Sequence, residues 1–120
     1  MSRPGIQYIE YLKIIERENL PDTIITIISM HKGIKKRLII SKSKKRPITD
    51  ARKLIAATLY LYTNLSLMDV GWETGITSHA SIIYALRIVG KGMPLQKEFA
   101  EIQKIMDNLN IEQKKHNKYG

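Results

Sequence analysis

Ten basic side chains are concentrated in one short segment, and they are the first group of residues suited to chemistry. Between His31 and Lys53 they are accompanied by a single acid, Asp50, so this segment carries a net charge of +9, which equals the charge of the whole 120-residue chain. Such a concentration predicts a binding site for the phosphates of a nucleic acid. An anionic membrane surface is the competing partner, but the segment lacks large apolar residues opposite its lysines. The candidate phosphate contacts are Lys42, Lys44, Lys45, Arg46, Arg52 and Lys53.

A second group of polar residues lies further along the chain, where Thr77 or Ser78 is the predicted cap of a helix. Hydroxyl groups and an imidazole can hydrogen-bond base edges or phosphates, and the Ala80 methyl group can contact the methyl group of thymine. The free amides at a helix start add partial positive charge that favours phosphate. The candidate contacts are Thr77, Ser78, His79, Ala80 and Ser81, with Ser66 as a further candidate upstream.

The spacing of acids and histidines gives little support to catalysis or metal binding. Asp69 and Glu73 are four residues apart, and capping or a salt bridge explains them more simply than acid–base catalysis. The three histidines are far apart and cysteine is absent, so we expect no zinc site, no disulfide, no cofactor and no enzymatic activity. No apolar run reaches the roughly 18 residues of a membrane span, and no signal-peptide core is present. We expect a cytoplasmic protein, located at the nucleoid, or in the host cytoplasm if a phage encodes it.

The apolar pattern predicts that helices position these groups. Hydrophobic residues recur at helical spacing nearly throughout, which predicts an all-α bundle of five to seven helices. Asp22 is the predicted cap of a helix that ends at Gly33, although the β-branched run at residues 24–28 also suits a short buried strand. The other predicted elements are an N-terminal helix over residues 6–18, a helical turn at 38–40, a long helix over 48–64, a final helix over 95–111, and a polar tail that we expect to fray.

Two short helices are predicted between the long helix and the final one. Ser66 and Asp69 have the spacing of a capping box that opens a helix over residues 67–74. Gly75 suits a left-handed helix end, and a second helix then runs to about Val89. Two short helices joined by a glycine-containing turn form the helix-turn-helix pattern, in which the start of the second helix reads the major groove of DNA.

These elements resemble the C-terminal DNA-binding domain of the bacterial replication initiator DnaA. The resemblance runs without a gap over residues 48–85 and more loosely from Asp22 to about Leu109. It is carried by DARK at residues 50–53, TNLSLMDVG at 63–71 and SHASIIYA at 78–85. The family has a basic loop, a first helix of the SL-x-x-IG type and the recognition signature GRDHTTVLHA. The resemblance implies a fold similar to the Trp repressor, with the recognition helix in the major groove and the basic loop at the minor groove.

The recognition signature is only partly kept. His79 matches the signature histidine, Ser81 keeps a hydroxyl in place of the second threonine, and Arg52 matches a family arginine near the start of the long helix. The changed positions are Thr77 and Ser78 in place of Arg-Asp, Ala80 in place of the first threonine, and Asp50 in place of an arginine associated with the minor groove. The resemblance therefore does not carry over recognition of the initiator's own DNA box.

The chain lacks the G-x-x-x-x-G-K-[ST] phosphate loop that the initiator's ATPase domain would need. We interpret it as a stand-alone domain of phage or mobile-element origin, without ATPase activity. Its segments are an N-terminal helix at residues 1–20, the DNA-binding domain at 21–111 and the polar tail at 112–120. The expected function is the binding of double-stranded DNA in the regulation of replication or transcription.

Other interpretations stay open at this point. An adaptor or decoy that acts on the replication machinery with weakened DNA binding is favoured by the changed signature and by Trp72. This tryptophan takes a polar family position and could fill the core, face the groove or form a partner patch. RNA binding is a weaker rival, because no aromatic stacking platform is evident. A replication protein is a candidate partner, and the first and last helices are candidate surfaces for a homodimer.

Overall fold

The computed structural model describes residues 19–120, and this part of the chain contains six α-helices and no strand. They are α1 (Leu20–Lys32), α2 (Lys36–Ile39), α3 (Arg46–Tyr62), α4 (Leu67–Thr74), α5 (His79–Ile88) and α6 (Gln96–Asn108). The all-α prediction is confirmed, and residues 24–28 are helical rather than a strand. The helix predicted over residues 6–18 lies outside the described residues. Within residues 19–120, no helix is both long and apolar enough to cross a membrane.

Helix α3 is the centre of the core, and α1, α2, α4 and α5 all pack against it. Its apolar side chains recur at helical spacing, and Leu54 and Leu61 have almost no exposed surface. Ala51, Ala56 and Ala57 are also fully buried, and their small side chains let neighbouring helices approach closely. The α4–α5 pair therefore packs against the most buried helix of the described chain.

Three helices begin earlier than the sequence pattern predicted: α1, α3, and α2, which starts at Lys36 rather than at residue 38. Asn19, and not Asp22, caps α1, because the Asn19 side chain accepts a hydrogen bond from the Asp22 amide at 3.0 Å. Asp22 lies in the first turn, where its negative charge favours the helix N-terminus. Helix α3 starts at Arg46 rather than at residue 48. Pro47 is compatible with this start, because amides in a first turn have no intrahelical acceptor.

Helices α4 and α5 form the predicted helix-turn-helix pair. The capping box is confirmed: the Asp69 amide donates to Ser66 Oγ at 3.1 Å, and the Ser66 amide donates to Asp69 Oδ2 at 3.3 Å. Gly75 ends α4 in the left-handed conformation, with a φ of 77°. The turn then passes so close to α4 that a β-carbon at Gly71 would lie 2.6 Å from the Ile76 carbonyl oxygen. Glycine at these two positions makes the tight turn accessible.

The C-terminal tail is ordered against two helix ends, so the expectation that it frays is wrong. The amides of Lys114 and Lys115 donate to the Leu61 carbonyl oxygen at 2.7 and 3.0 Å. The Asn117 side-chain amide donates to the Leu86 carbonyl oxygen, near the end of α5, at 2.9 Å. The last carbonyls of a helix lack intrahelical partners, and a passing chain can satisfy them. Tyr119 is partly buried and packs against the core, so the tail is held by these hydrogen bonds together with an apolar contact.

Candidate nucleic-acid interface

The basic loop, defined as residues 40–45, joins α2 to α3 and is shaped by serine hydroxyl groups. Ser41 Oγ donates to the Leu38 carbonyl oxygen at 2.6 Å, and the Ser43 amide donates to Ser41 Oγ at 3.2 Å. The Lys45 amide in turn donates to Ser43 Oγ at 3.3 Å. Both serines are half-buried, so the loop has an inner and an outer side. The exposed lysines of the loop are Lys42, Lys44 and Lys45.

Arg52 lies beneath the basic loop and contacts its backbone. Arg52 Nε donates to the Ile39 carbonyl oxygen at 2.6 Å, and Nη2 donates to those of Ser41 and Ser43 at 2.6 and 3.2 Å. Burial lowers the pKa of Arg52 from its usual value, yet an arginine stays charged at neutral pH. A phosphate contact for Arg52 stays a prediction, but two of its three nitrogens already donate to the protein.

Arg46 and Lys53 lie in the first half of α3 and border α5. The Arg46 side chain is 85% exposed, and its Nε lies 3.9 Å from Asp50 Oδ2. Lys53 Nζ lies 5.4 Å from the centre of the Tyr84 ring on α5, within the range of a cation–π contact. These four residues line one shallow depression. Arg46 and Lys53 thus lie beside the exposed Tyr84 of the second helix of the pair.

The turn before α5 and the first residues of α5 are exposed without interruption over residues 77–81. Of the two predicted caps, Ser78 rather than Thr77 occupies the position, and its side chain accepts from the Ser81 amide at 3.4 Å. His79 is the first helical residue. The opposite side of α5 is buried in the core, so packing holds the helix that carries these exposed polar side chains.

The helix-turn-helix turn and the basic loop meet directly. A β-carbon at Gly75 would lie 3.2 Å from the carbonyl oxygen of Ile40. On the other side of the loop, Lys35 and Arg37 line a depression together with Lys45. Both are exposed and belong to the +9 segment, although neither is among the phosphate contacts predicted from the sequence. We call the following residues the basic cluster: Lys35, Arg37, Lys42, Lys44 and Lys45.

Helix α4 presents an apolar surface beside the start of α5. Trp72 and Met68 are 81% and 60% exposed, and with His79 they help to line a pocket of about 440 Å³. Trp72 therefore does not fill the core, which leaves a groove-side contact or a partner patch. At the start of the same helix, Ser66 is exposed, and its hydroxyl group accepts the capping hydrogen bond described above.

Known proteins match the same part of the chain. The family model described as the bacterial dnaA protein helix-turn-helix matches residues 21–89. The chromosomal replication initiator protein DnaA of Thermodesulfovibrio yellowstonii is 36% identical in an alignment that covers 81% of this chain and 23% of that protein. DnaA of Flavobacterium psychrophilum is 28% identical over 84% of this chain and 20% of its own length. The chain thus spans about a fifth of the length of these curated relatives. No solved structure matches the chain at a significant level.

Proposed function

The chain belongs to the bacterial DnaA helix-turn-helix family, and from this premise we propose that it binds double-stranded DNA. Helix α5 enters the major groove, and the basic cluster follows the backbone towards the adjacent minor groove. One observation supports this more than any other. Residues 77–81 are exposed without interruption at the start of α5, and the turn that precedes them touches the basic loop. Groups suited to base edges and groups suited to phosphates therefore lie on two segments that adjoin at Gly75 and Ile40.

The two groups have different roles in this binding. Each cation of the basic cluster that contacts a phosphate releases a counterion and adds affinity without sequence information. Five such contacts predict a log–log salt slope of about −4.5. Sequence preference comes from Thr77, Ser78, His79, Ala80 and Ser81, with the Ser78 side chain shared between the DNA and the helix cap. Arg46, Lys53 and Ser66 remain candidate phosphate contacts at the edges of this face.

We infer a regulatory role in replication or transcription. These 120 residues contain no G-x-x-x-x-G-K-[ST] loop, so we assign them DNA binding and no ATP hydrolysis. Binding as a homodimer would require a DNA site made of two inverted halves about one helical turn apart, or a multiple of that distance. The DNA sequences selected by the protein therefore report on its assembly as well as on its specificity.

The test is a binding titration against a randomised duplex pool at two salt concentrations, followed by sequencing of the bound DNA. We expect an enriched motif and an affinity that falls steeply with salt. His79→Ala should reduce discrimination about tenfold at the bases that His79 contacts and leave the salt slope unchanged. Changing all three loop lysines to alanine should weaken binding to every sequence and reduce the slope by about 2.7.

The matched control removes three exposed lysines far from the loop in sequence, namely Lys91, Lys97 and Lys104. It changes the net charge by the same amount, so an equal drop in salt slope would show that the basic loop is not the phosphate site. Binding without an enriched motif would leave a sequence-independent DNA-binding protein. An absence of binding at low salt would reject DNA as the ligand.

A second candidate function is that of an adaptor that binds a replication protein. The exposed pair formed by Trp72 and Met68 favours it, because large apolar side chains at this level of exposure often mark protein contacts. Trp72 is the only tryptophan in the chain, so its fluorescence reports on one site. A change on addition of duplex DNA would place Trp72 at the groove. A change seen only with a purified replication initiator, and lost in Trp72→Ala, would support the adaptor.

A further inference from the structure

The Arg52 guanidinium group binds the backbone of the basic loop at alternate residues. It donates to the carbonyl oxygens of Ile39, Ser41 and Ser43, at 2.6, 2.6 and 3.2 Å. The two serines are half-buried, whereas the lysine that follows each of them is exposed. Carbonyl groups that are held by Arg52 therefore alternate along the loop with lysines that face solvent.

The chemistry of arginine suits this contact. Its donors are fixed in one plane, so a single side chain can hold several carbonyl oxygens in a defined arrangement, and Nη2 alone serves two of them here. Arg52 is carried by α3 between residues that are buried in the core, among them Ala51 and Leu54. The group that binds this surface loop is thus carried by the most buried helix of the described chain.

We propose that Arg52 is a positioning residue, which preorganises the basic loop for DNA and is not itself a phosphate contact. This role rests on the proposed function, because the loop needs a defined shape only if its lysines meet phosphates of fixed spacing. A loop that is ordered in the free protein loses less conformational entropy when it binds. Arg52 therefore raises affinity without adding to the counterions that binding releases.

The salt dependence of duplex binding separates these two roles. Arg52→Gln should weaken binding about tenfold, because the loop must then be ordered on the DNA. Its log–log salt slope should stay at the wild-type value. Lys44→Ala is the matched control: it removes a phosphate contact and should reduce the slope by about 0.9. The positioning role is overturned if Arg52→Gln reduces the slope as much as Lys44→Ala does, or if it leaves the affinity unchanged.

Trypsin cleavage tests the same role without DNA. In the free protein, cleavage after the loop lysines should be about tenfold faster in Arg52→Gln than in wild type, since the loss of three hydrogen bonds lets the loop open locally. Cleavage after Lys104, which lies within α6, is the internal reference, because a helical segment is cut only when it unfolds and global unfolding would accelerate cleavage at both places.

Arg52→Lys is the second variant, chosen in case Arg52→Gln unfolds as a whole. It keeps the charge and loses the planar set of donors, so it should show the same loop-specific increase in cleavage. Unchanged loop cleavage in both variants would overturn the positioning role. If the wild-type protein fails to bind any duplex, the proposed function fails, whereas the cleavage data still decide whether Arg52 holds the loop.

Discussion

Lys115 should stabilise the fold by binding the C-terminal end of α3, and its replacement by methionine tests this. The ammonium group donates to the carbonyl oxygens of Tyr60, Thr63 and Leu65, at 2.9, 2.6 and 2.9 Å. It also lies 4.5 Å from the centre of the Tyr60 ring. Methionine keeps an unbranched apolar side chain but has no donor, so all three acceptors lose this partner.

The expected decrease in the free energy of unfolding is about 2 kcal/mol. At a partly exposed site, three hydrogen bonds contribute about 1 kcal/mol each, and the ring contact adds about 0.5 kcal/mol. Fixing the lysine side chain costs about 1.5 kcal/mol of rotamer entropy, which offsets part of that gain. Burial acts against the charged form as well, because it lowers the pKa of Lys115 from its usual value.

Urea unfolding measures this decrease. With a slope of about 2 kcal/mol per molar, the midpoint should fall by roughly 1 M in Lys115→Met. Lys114→Met is the matched control, since it removes the same charge from an exposed side chain while its amide can still donate to Leu61. That control should stay within about 0.5 kcal/mol of wild type. If the two variants unfold at the same urea concentration, the ammonium contacts add nothing to stability and the reasoning is refuted.

Two further changes test the core and the helix-turn-helix turn. Tyr62 is 2% exposed, and burial raises its pKa above the usual value. The folded state therefore keeps the phenol protonated at a pH where the unfolded state has lost this proton, so the free energy of unfolding should fall as the pH rises above about 10. Urea unfolding of Tyr62→Phe should show a smaller alkaline loss than wild type, and an equal loss would contradict the role of the phenol. Gly71→Ala should cost about 3 kcal/mol in the same assay, because the new β-carbon meets the Ile76 carbonyl oxygen at 2.6 Å. A β-carbon at Gly92 would have no atom within 4 Å, so Gly92→Ala should lower the free energy of unfolding by only about 1 kcal/mol, the cost of its φ of 77°. A larger loss in Gly92→Ala than in Gly71→Ala would show that the turn at Ile76 moves away from the new β-carbon at little cost.

The helix-turn-helix could be predicted from the sequence because its signals are local. Ser66 and Asp69 satisfy each other's backbone amides three residues apart, so their spacing alone indicates where α4 begins. Gly75 marks the end of α4 through its own φ angle. The predicted bounds of α4, residues 67–74, are those of the structure. Each of these interactions closes within a single helical turn, which is the distance over which residue spacing is informative.

The roles of Arg52 and Lys115 could not be predicted in the same way, because their partners are remote in sequence. The carbonyl oxygens that Arg52 binds lie 9 to 13 residues before it, and those that Lys115 binds lie 50 to 55 residues before it. The concentration of basic residues makes Arg52 a candidate phosphate contact, and the polar composition of residues 112–120 places Lys115 in a loose tail. Only the fold shows that both cations bind backbone carbonyl groups of the protein itself.

The net charge of the sequence therefore overstates the number of cations that face DNA. Within the +9 segment, Lys32 pairs with Glu98 of α6, Arg46 approaches Asp50, and Arg52 binds the loop. A cation contributes fully to counterion release only where its charge can be given to a phosphate, so these contribute less than the basic cluster. Ten contacts would give a salt slope of about −9, seven contacts without these three cations would give about −6.3, and the five residues of the cluster alone give about −4.5. A measured slope near the largest value would mean that binding breaks these internal contacts. The smallest value would mean that only the cations of the basic cluster release counterions when the protein binds DNA.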